Sequence, residues 1–247
     1  MTLDVHFTPD GLTLAEVQGR TVFVIDILRA TTSMCAALSS GAKAIIPAAS
    51  TEEALRLAQT LGTGDVLLAG ERRCVRIEGF HLGNSPLEMT EAAVRGRTLI
   101  VSTTNGTRAL LACQGAGAVH PACAGNLSLA AEKAREALQD GERVLLVCAG
   151  RGGAFSLDDA YAAGRLVSAA VGGAKGRRGL NDAALASLDL VRRYGDDWVR
   201  PLRRSRAGRE LVRLGFADDV RASATMDAYP VLPSFHERRV TLAAVPV

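Results

Sequence analysis

Apolar runs of strand length recur along this chain, separated by helix-forming stretches, and that alternation is its strongest constraint on fold. Residues 22–25, 44–46, 66–69, 99–101 and 144–147 are continuous runs of Val, Ile, Leu, Phe and Ala. Uninterrupted apolar character of that length marks a strand covered on both faces. A turn at Leu28 runs into a helix to Leu38, and further helices are expected at 51–61, 86–94, 126–138 and 157–171. Ser50 or Thr51 caps the second of these, with Glu52 and Glu53 in its first turn, where the helix dipole favours acids. Ala118-Val119 and residues 239–245 add two strands. The order implies an α/β fold with mainly parallel sheets flanked by helices.

A weak repeat divides this pattern. Gly41-Ala42-Lys43-Ala44-Ile45-Ile46-Pro47-Ala48 aligns with Gly115-Ala116-Gly117-Ala118-Val119-His120-Pro121-Ala122. It suggests an internal duplication, with two similar lobes at 1–96 and 97–247, tightly associated. Chance similarity among Ala- and Gly-rich βα units is the alternative. The second lobe also carries a basic loop at 172–179, helical segments at 180–194 and 197–214, and the C-terminal strand. The arginines dense in that segment read as solvated helix faces.

Composition excludes several classes. A chain of 247 residues with 48% hydrophobic and 22% charged residues can bury a substantial core. The net charge of +3 is mild, and 4% aromatic content leaves little for stacking bases, so no nucleic-acid partner is expected. No apolar run is long enough for a membrane span, and residues 1–10 do not read as a signal peptide. Five cysteines, an odd number with no Cys-x-x-Cys spacing, suit a reduced, cytoplasmic setting.

The densest polar turn is Ser102-Thr103-Thr104-Asn105-Gly106-Thr107-Arg108, between an apolar strand and a run of helix formers. It reads either as a phosphate or carboxylate cradle at a helix N-terminus or as an ordinary helix cap. Other strands also end in reactive residues: Asp26 with Arg29, Glu71 with Arg72, and 148–151. A parallel sheet gathers such groups at its carboxyl edge, where ligands bind. Asp26 and Glu71, with Asp159 as a third, could hold Mg²⁺, and the arginines could hold anionic oxygens. Arg29, beside Asp26, is expected to favour the charged form of that carboxyl. This points to phosphoryl chemistry rather than redox chemistry.

Familiar signatures are absent. A Cys-x5-Arg nucleophile at Cys148 would need Arg where Ala154 stands, and Asp26 lacks the second acid of an Asp-x-Asp pair. There is no P-loop and no G-x-G-x-x-G fingerprint. His6, His81, His120 and His236 have no metal-ligand spacing, and His120 is expected to pack in a strand. Cys148 reads either as a low-pKa thiolate near Arg151 or as a buried core cysteine.

Six ordered pieces resemble the 2-phosphosulfolactate phosphatase family. They are residues 24–32, Gly70-Glu71-Arg72, Leu82-Gly83-Asn84-Ser85-Pro86, 102–108, Cys148-Ala149-Gly150, and Asp227 with Pro230 and Pro233. The resemblance implies Mg²⁺-dependent hydrolysis of 2-phospho-3-sulfolactate to 3-sulfolactate, a step towards coenzyme M. Two residues depart from the family pattern: His81 where Asp is usual, and Asp158 where Glu is usual. On this basis the expected catalytic residues are Asp26, Arg29, Glu71 and Arg72. Asp26 would be either nucleophile or metal ligand. Expected substrate contacts are Asn84, Ser85, Thr103, Thr104, Asn105, Gly106, Thr107, Arg108, Cys148 and Gly150. Expected Mg²⁺ ligands are Asp26, Glu71 and Asp159. The partner would be a small anionic phosphorylated substrate, with a homodimer as one assembly open to the chain. The rivals are a phosphatase acting on another small anionic metabolite and a non-catalytic anion binder.

Overall fold

A computed structural model describes residues 2–62, 64–172 and 179–242. Ten strands are present among them: β1 (Thr2–His6), β2 (Arg20–Ile25), β3 (Ala44–Pro47), β4 (Val66–Arg72), β5 (Val75–Arg76), β6 (Thr98–Ser102), β7 (Ala118–Ala122), β8 (Arg143–Cys148), β9 (Pro233–His236) and β10 (Arg239–Leu242). The α-helices are α1 (Leu14–Val17), α2 (Ala30–Ser39), α3 (Thr51–Leu61), α4 (Glu91–Val94), α5 (Gly106–Ala112), α6 (Leu127–Gln139), α7 (Leu157–Val171), α8 (Asp182–Tyr194), α9 (Val199–Arg204), α10 (Arg206–Arg213) and α11 (Ala217–Ser223). The α/β class and the mainly parallel pairing agree with the sequence.

The strands form two sheets. One is wholly parallel, ordered β1-β8-β2-β7. The other, ordered β5-β4-β6-β3-β10-β9, is parallel through β4, β6 and β3 and antiparallel at both margins. Each sheet draws strands from both sides of residue 96. The internal duplication is not confirmed: the two strand orders are not copies of one another.

Burial follows the period-two alternation of a strand. Phe23 and Ile25 of β2 share one core with Val144 and Leu146 of β8, under helices α6, α7 and α8. Val22 and Val24 face a second core with Leu145 and Val147, lying against α2, α5 and the inner face of the other sheet through Ile45, Leu99 and Val101. The outer face of that second sheet, with Ile46, Leu68 and Ile100, is covered by Ala54 of α3 and by Phe80. Each fully buried large apolar side chain contributes about 1.5–3 kcal/mol. Both sheets are thus covered on both faces, as the continuous apolar runs require.

Several boundaries differ from expectation. The helix expected at 197–214 breaks at Ser205, whose hydroxyl caps α10 by accepting the Gly208 N–H at 2.9 Å. The expected helix at 86–94 is a 3-10 turn at Pro86–Glu88 followed by α4, which Thr90 caps. Residues 173–178 of the basic loop and 243–245 of the expected final strand lie outside the described residues. Among the described residues no helix is long and apolar enough to cross a membrane.

Candidate active site

A cavity of about 740 Å³ opens where the carboxyl ends of the two sheets meet. Asp26 follows β2, Glu71 and Arg72 close β4, Thr104 and Asn105 follow β6, and Arg151 follows β8; all six line it. Asn84 and Arg29 line it too. The strand-end rule therefore holds across two sheets rather than along one.

Asp26 sits at the buried floor. Thr31 Oγ1 accepts the Asp26 N–H at 3.1 Å, Thr32 Oγ1 donates to the Ile27 carbonyl at 2.8 Å, and Asp159 accepts the Ile27 N–H at 3.0 Å. The loop from β2 into α2 is fixed by these bonds. The Asp26 side chain accepts only a long bond from Ala30 N–H, 3.4 Å to Oδ1, among the described residues. Burial first, then the charges of Glu71 and Asp158, push its carboxyl up to about 7. Gly106 leaves room for it: a Cβ there would lie 2.8 Å from Asp26 Oδ2 and 2.4 Å from Ala30 Cβ.

Arg29 does not make Asp26 the stronger acid that the sequence leads one to expect. Its pull is outweighed by burial and by the Glu71 and Asp158 charges, so the net shift runs upward instead. Its Nη1 donates to Asp219 Oδ2 at 2.5 Å and its Nη2 to the Cys74 carbonyl at 2.7 Å. The guanidinium also lies 4.7 Å from the Phe216 ring centroid. Ser85 Oγ donates to the other Asp219 oxygen at 2.7 Å and accepts the Leu87 N–H at 3.2 Å. Ser85 thus caps the 3-10 turn and anchors α11. Nothing local in the sequence points to Asp219, which lies 190 residues from Arg29.

Glu71 ties two turns together, accepting the Cys74 N–H at 2.7 Å and the Thr104 N–H at 2.8 Å. Arg72 donates to Ser102 Oγ at 2.9 Å. Within the polar turn, Thr103 Oγ1 accepts the Thr107 N–H at 3.1 Å, and Thr107 Oγ1 donates to the Thr103 carbonyl at 3.0 Å. These two buried threonines hold the turn closed while Thr104 and Asn105 border the cavity. Asn105 Oδ1 accepts the Gly152 N–H at 3.0 Å, linking this turn to the one after β8.

Other expected contacts fall elsewhere. Arg108 is half exposed and pairs with Asp10 at 2.8 Å, off the cavity lining. Cys148 is fully buried in the core, and burial with the Asp159 and Asp158 charges pushes its thiol well up, which overturns the low-pKa thiolate alternative. Gly150 has φ +64°, and a Cβ would lie 2.5 Å from the Ala154 carbonyl oxygen, so it serves the turn itself. His81 is exposed, and its Nδ1 accepts the Leu68 N–H at 3.0 Å, a bond an Asp carboxylate could also make. His120 packs as expected, 5.5 Å from Phe23, with Nδ1 2.9 Å from the Pro233 carbonyl. Asp227 accepts Ser128 N–H and O–H at 2.8 and 2.6 Å, securing the start of α6. The arginines on the helices of the basic segment are exposed, as expected, and Arg206 and Glu210 of α10 also line the cavity. Only the topology reveals that.

Among the described residues, no group of three or more His, Cys, Asp or Glu side chains is arranged to hold a metal. Asp159 accepts the Ile27 and Gly150 N–H groups, each at 3.0 Å, and does not line the cavity. Asp26 and Glu71 do line it, and the Glu71 charge disfavours ionised Asp26. Two carboxylates lining one cavity suit the way Mg²⁺ binds, through one or two carboxylates with substrate oxygens and water completing the shell. The donor set fits that ion through Asp26 and Glu71, not through a three-carboxylate cage.

Comparison with known proteins adds the family. A family model described as 2-phosphosulpholactate phosphatase matches residues 6–238. A protein of Symbiobacterium thermophilum named "Probable 2-phosphosulfolactate phosphatase" is 41% identical over 227 residues, covering 92% of this chain and 96% of its own. Proteins of the same name from Caldanaerobacter subterraneus subsp. tengcongensis and Clostridium acetobutylicum are 35% and 33% identical, over 94% and 95% of this chain and 95% and 97% of theirs. A match of that extent, over strands that supply both the carboxylates and the polar turn, establishes that this chain belongs to the 2-phosphosulpholactate phosphatase family.

Proposed function

We propose that this protein hydrolyses 2-phospho-3-sulfolactate to 3-sulfolactate and phosphate, using Mg²⁺ bound by Asp26 and Glu71. The observation that carries the reading is a buried, poorly hydrogen-bonded carboxylate, Asp26, at the floor of an arginine-bordered cavity. Bound Mg²⁺ would neutralise the facing acids and polarise a phosphoryl oxygen.

The chain's own groups have separable tasks. Arg72 borders the cavity and supplies a cationic donor to phosphoryl oxygens. Thr104 and Asn105 orient the substrate from the polar turn, and Asn84 does so from the opposite loop. Asp26 offers its carboxylate either to hold the metal or to attack phosphorus. In the second case the Asp26 O–P bond forms as the ester P–O bond breaks, and the departing oxygen on C2 takes a proton from water. Water then hydrolyses the aspartyl phosphate.

Phosphate release across a panel of phosphorylated hydroxyacids, with and without Mg²⁺, tests the reading. EDTA is expected to abolish turnover and Mg²⁺ to restore it. Full activity after rigorous metal removal would overturn the metal's part. Absence of phosphate release from every ester would overturn the phosphatase reading. A hydroxylamine-sensitive phosphoenzyme that is lost in Asp26→Asn identifies attack, and weakened Mg²⁺ binding without an adduct identifies ligation.

A further inference from the structure

The outer wall of the cavity comes from a part of the chain with no assigned role. Arg206 is the first residue of α10, and Arg151 belongs to the turn after β8. Both line the cavity with Glu210, one turn along α10. Glu210 pairs with Arg213 at 2.6 Å, so its carboxylate does not hold Arg206. Arg151 and Arg206 both lie near enough to favour its charged form.

The backbone that carries the exposed Arg206 side chain is fixed. Ser205, buried, donates to the Leu202 carbonyl at 2.9 Å and accepts the Gly208 N–H at 2.9 Å. A Cβ at Gly208 would lie 1.9 Å from the Leu202 carbonyl oxygen, so α9 and α10 meet with no slack. Ala207, Gly208 and Leu211 bury the other face of α10. A guanidinium on a fixed helix can discriminate between ligands that differ by one acidic group.

We propose that Arg206, together with Arg151, is the specificity-determining pair that receives the substrate's non-transferred acidic group, a carboxylate or a sulfonate. The proposal rests on the phosphatase reading and goes beyond it by assigning the outer wall. Arg29 and Arg72 cannot take this task as freely, because each already donates to protein oxygens. Arg73 also lines the cavity, so Arg73→Ala is the matched control, and an equal selective loss there would overturn the pair.

The test uses Arg206→Ala and Arg206→Lys with three esters: 2-phospho-3-sulfolactate, 2-phospholactate and isopropyl phosphate. Losing one charge-assisted contact should lower kcat/KM for the recognised ester about 10- to 100-fold more than for isopropyl phosphate. The loss should sit mainly in KM, and Lys should restore part of it. Selective loss on the sulfonate ester alone identifies the sulfonate as the recognised group; loss on both acids identifies the carboxylate. Equal loss on all three esters, or loss on none, overturns the proposal. Should wild type release phosphate from no ester, calorimetry with 3-sulfolactate and 2-phospholactate decides it separately. Binding that weakens at least about tenfold in Arg206→Ala supports the pair, and unchanged binding overturns it.

Discussion

Two buried acids lie near one buried arginine, and they are treated in opposite ways. Asp219 receives the Arg29 guanidinium at 2.5 Å and the Ser85 hydroxyl at 2.7 Å, so both its oxygens are satisfied. Asp26, three residues from Arg29 in sequence, has no ion pair among the described residues and one long hydrogen bond. Asp219 is a charge compensated by the fold. Asp26 is left to be compensated by a proton, a cation or a ligand. An uncompensated buried carboxylate is costly, and sites of chemistry are where such costs collect. Pairing in space, rather than closeness in sequence, separates the structural acid from the reactive one.

The most severe way to break that contrast is to remove the compensated acid. Asp219→Ala strands a buried guanidinium and an unpaired Ser85 hydroxyl. Stability is expected to fall by about 3–5 kcal/mol, the scale for breaking a buried pair by deleting one partner. Urea unfolding followed by circular dichroism measures it. A change below about 1 kcal/mol, the scale of an exposed pair, would show that the interaction is not structural.

Asp26→Asn addresses the other acid. Turnover is expected to fall at least about 10²-fold, the scale for losing one preorganised electrostatic group. Steady-state kinetics with Mg²⁺ present provides the measurement, and near wild-type kcat would place the chemistry elsewhere.

The same substitution should alter the pH dependence of stability. Folded Asp26 is raised to about 7, whereas an unfolded Asp titrates near about 3.9. Between those values the folded chain binds the extra proton, so this group's stabilisation is complete at low pH and is lost as pH rises through about 7. Asp158 and Asp159 are also raised, chiefly by burial, and contribute slopes of the same sign. Subtracting the Asp26→Asn curve from wild type, both in chelator, reports Asp26 together with its effect on neighbouring Asp159. The difference is expected to favour the variant as pH rises from about 4 to about 7. A flat difference would mean that Asp26 is not uncompensated.

The contrast also shows what sequence carries. Asp26, Glu71, Arg72 and the polar turn are legible because each follows an apolar run, and strand ends are local features. Asp219 and Arg206 are not, because their roles arise only when the C-terminal helices fold back over the cavity. The edge strand β1 gives little signal because only Leu3 and Val5 are apolar, while Asp4 faces Arg20 at 2.6 Å. Cys148 shows the limit of position alone. It ends β8 as Asp26 follows β2, yet its side chain turns into the core.

Arg108 gives the smallest and sharpest check. By sequence it belongs to the polar turn, where it is expected to hold substrate oxygens. In the fold its guanidinium pairs with Asp10, each side chain 51% exposed, and it does not line the cavity. An ion pair that open to water is worth about 0–1 kcal/mol. Arg108→Ala is therefore expected to change stability by less than about 1 kcal/mol and kcat/KM by less than about threefold. Thr104→Ala, in the same turn but at the cavity, is the matched control. Its side chain should matter more to kcat/KM than the full charge four residues on. Should Arg108→Ala instead cost about tenfold or more in kcat/KM with stability intact, Arg108 must leave Asp10 and enter the cavity when substrate binds. Position in the turn would then predict function better than the side-chain pairing of the unliganded protein. Equal small effects from both variants would assign the turn's contribution to its backbone, held by the Thr104 N–H bond to Glu71.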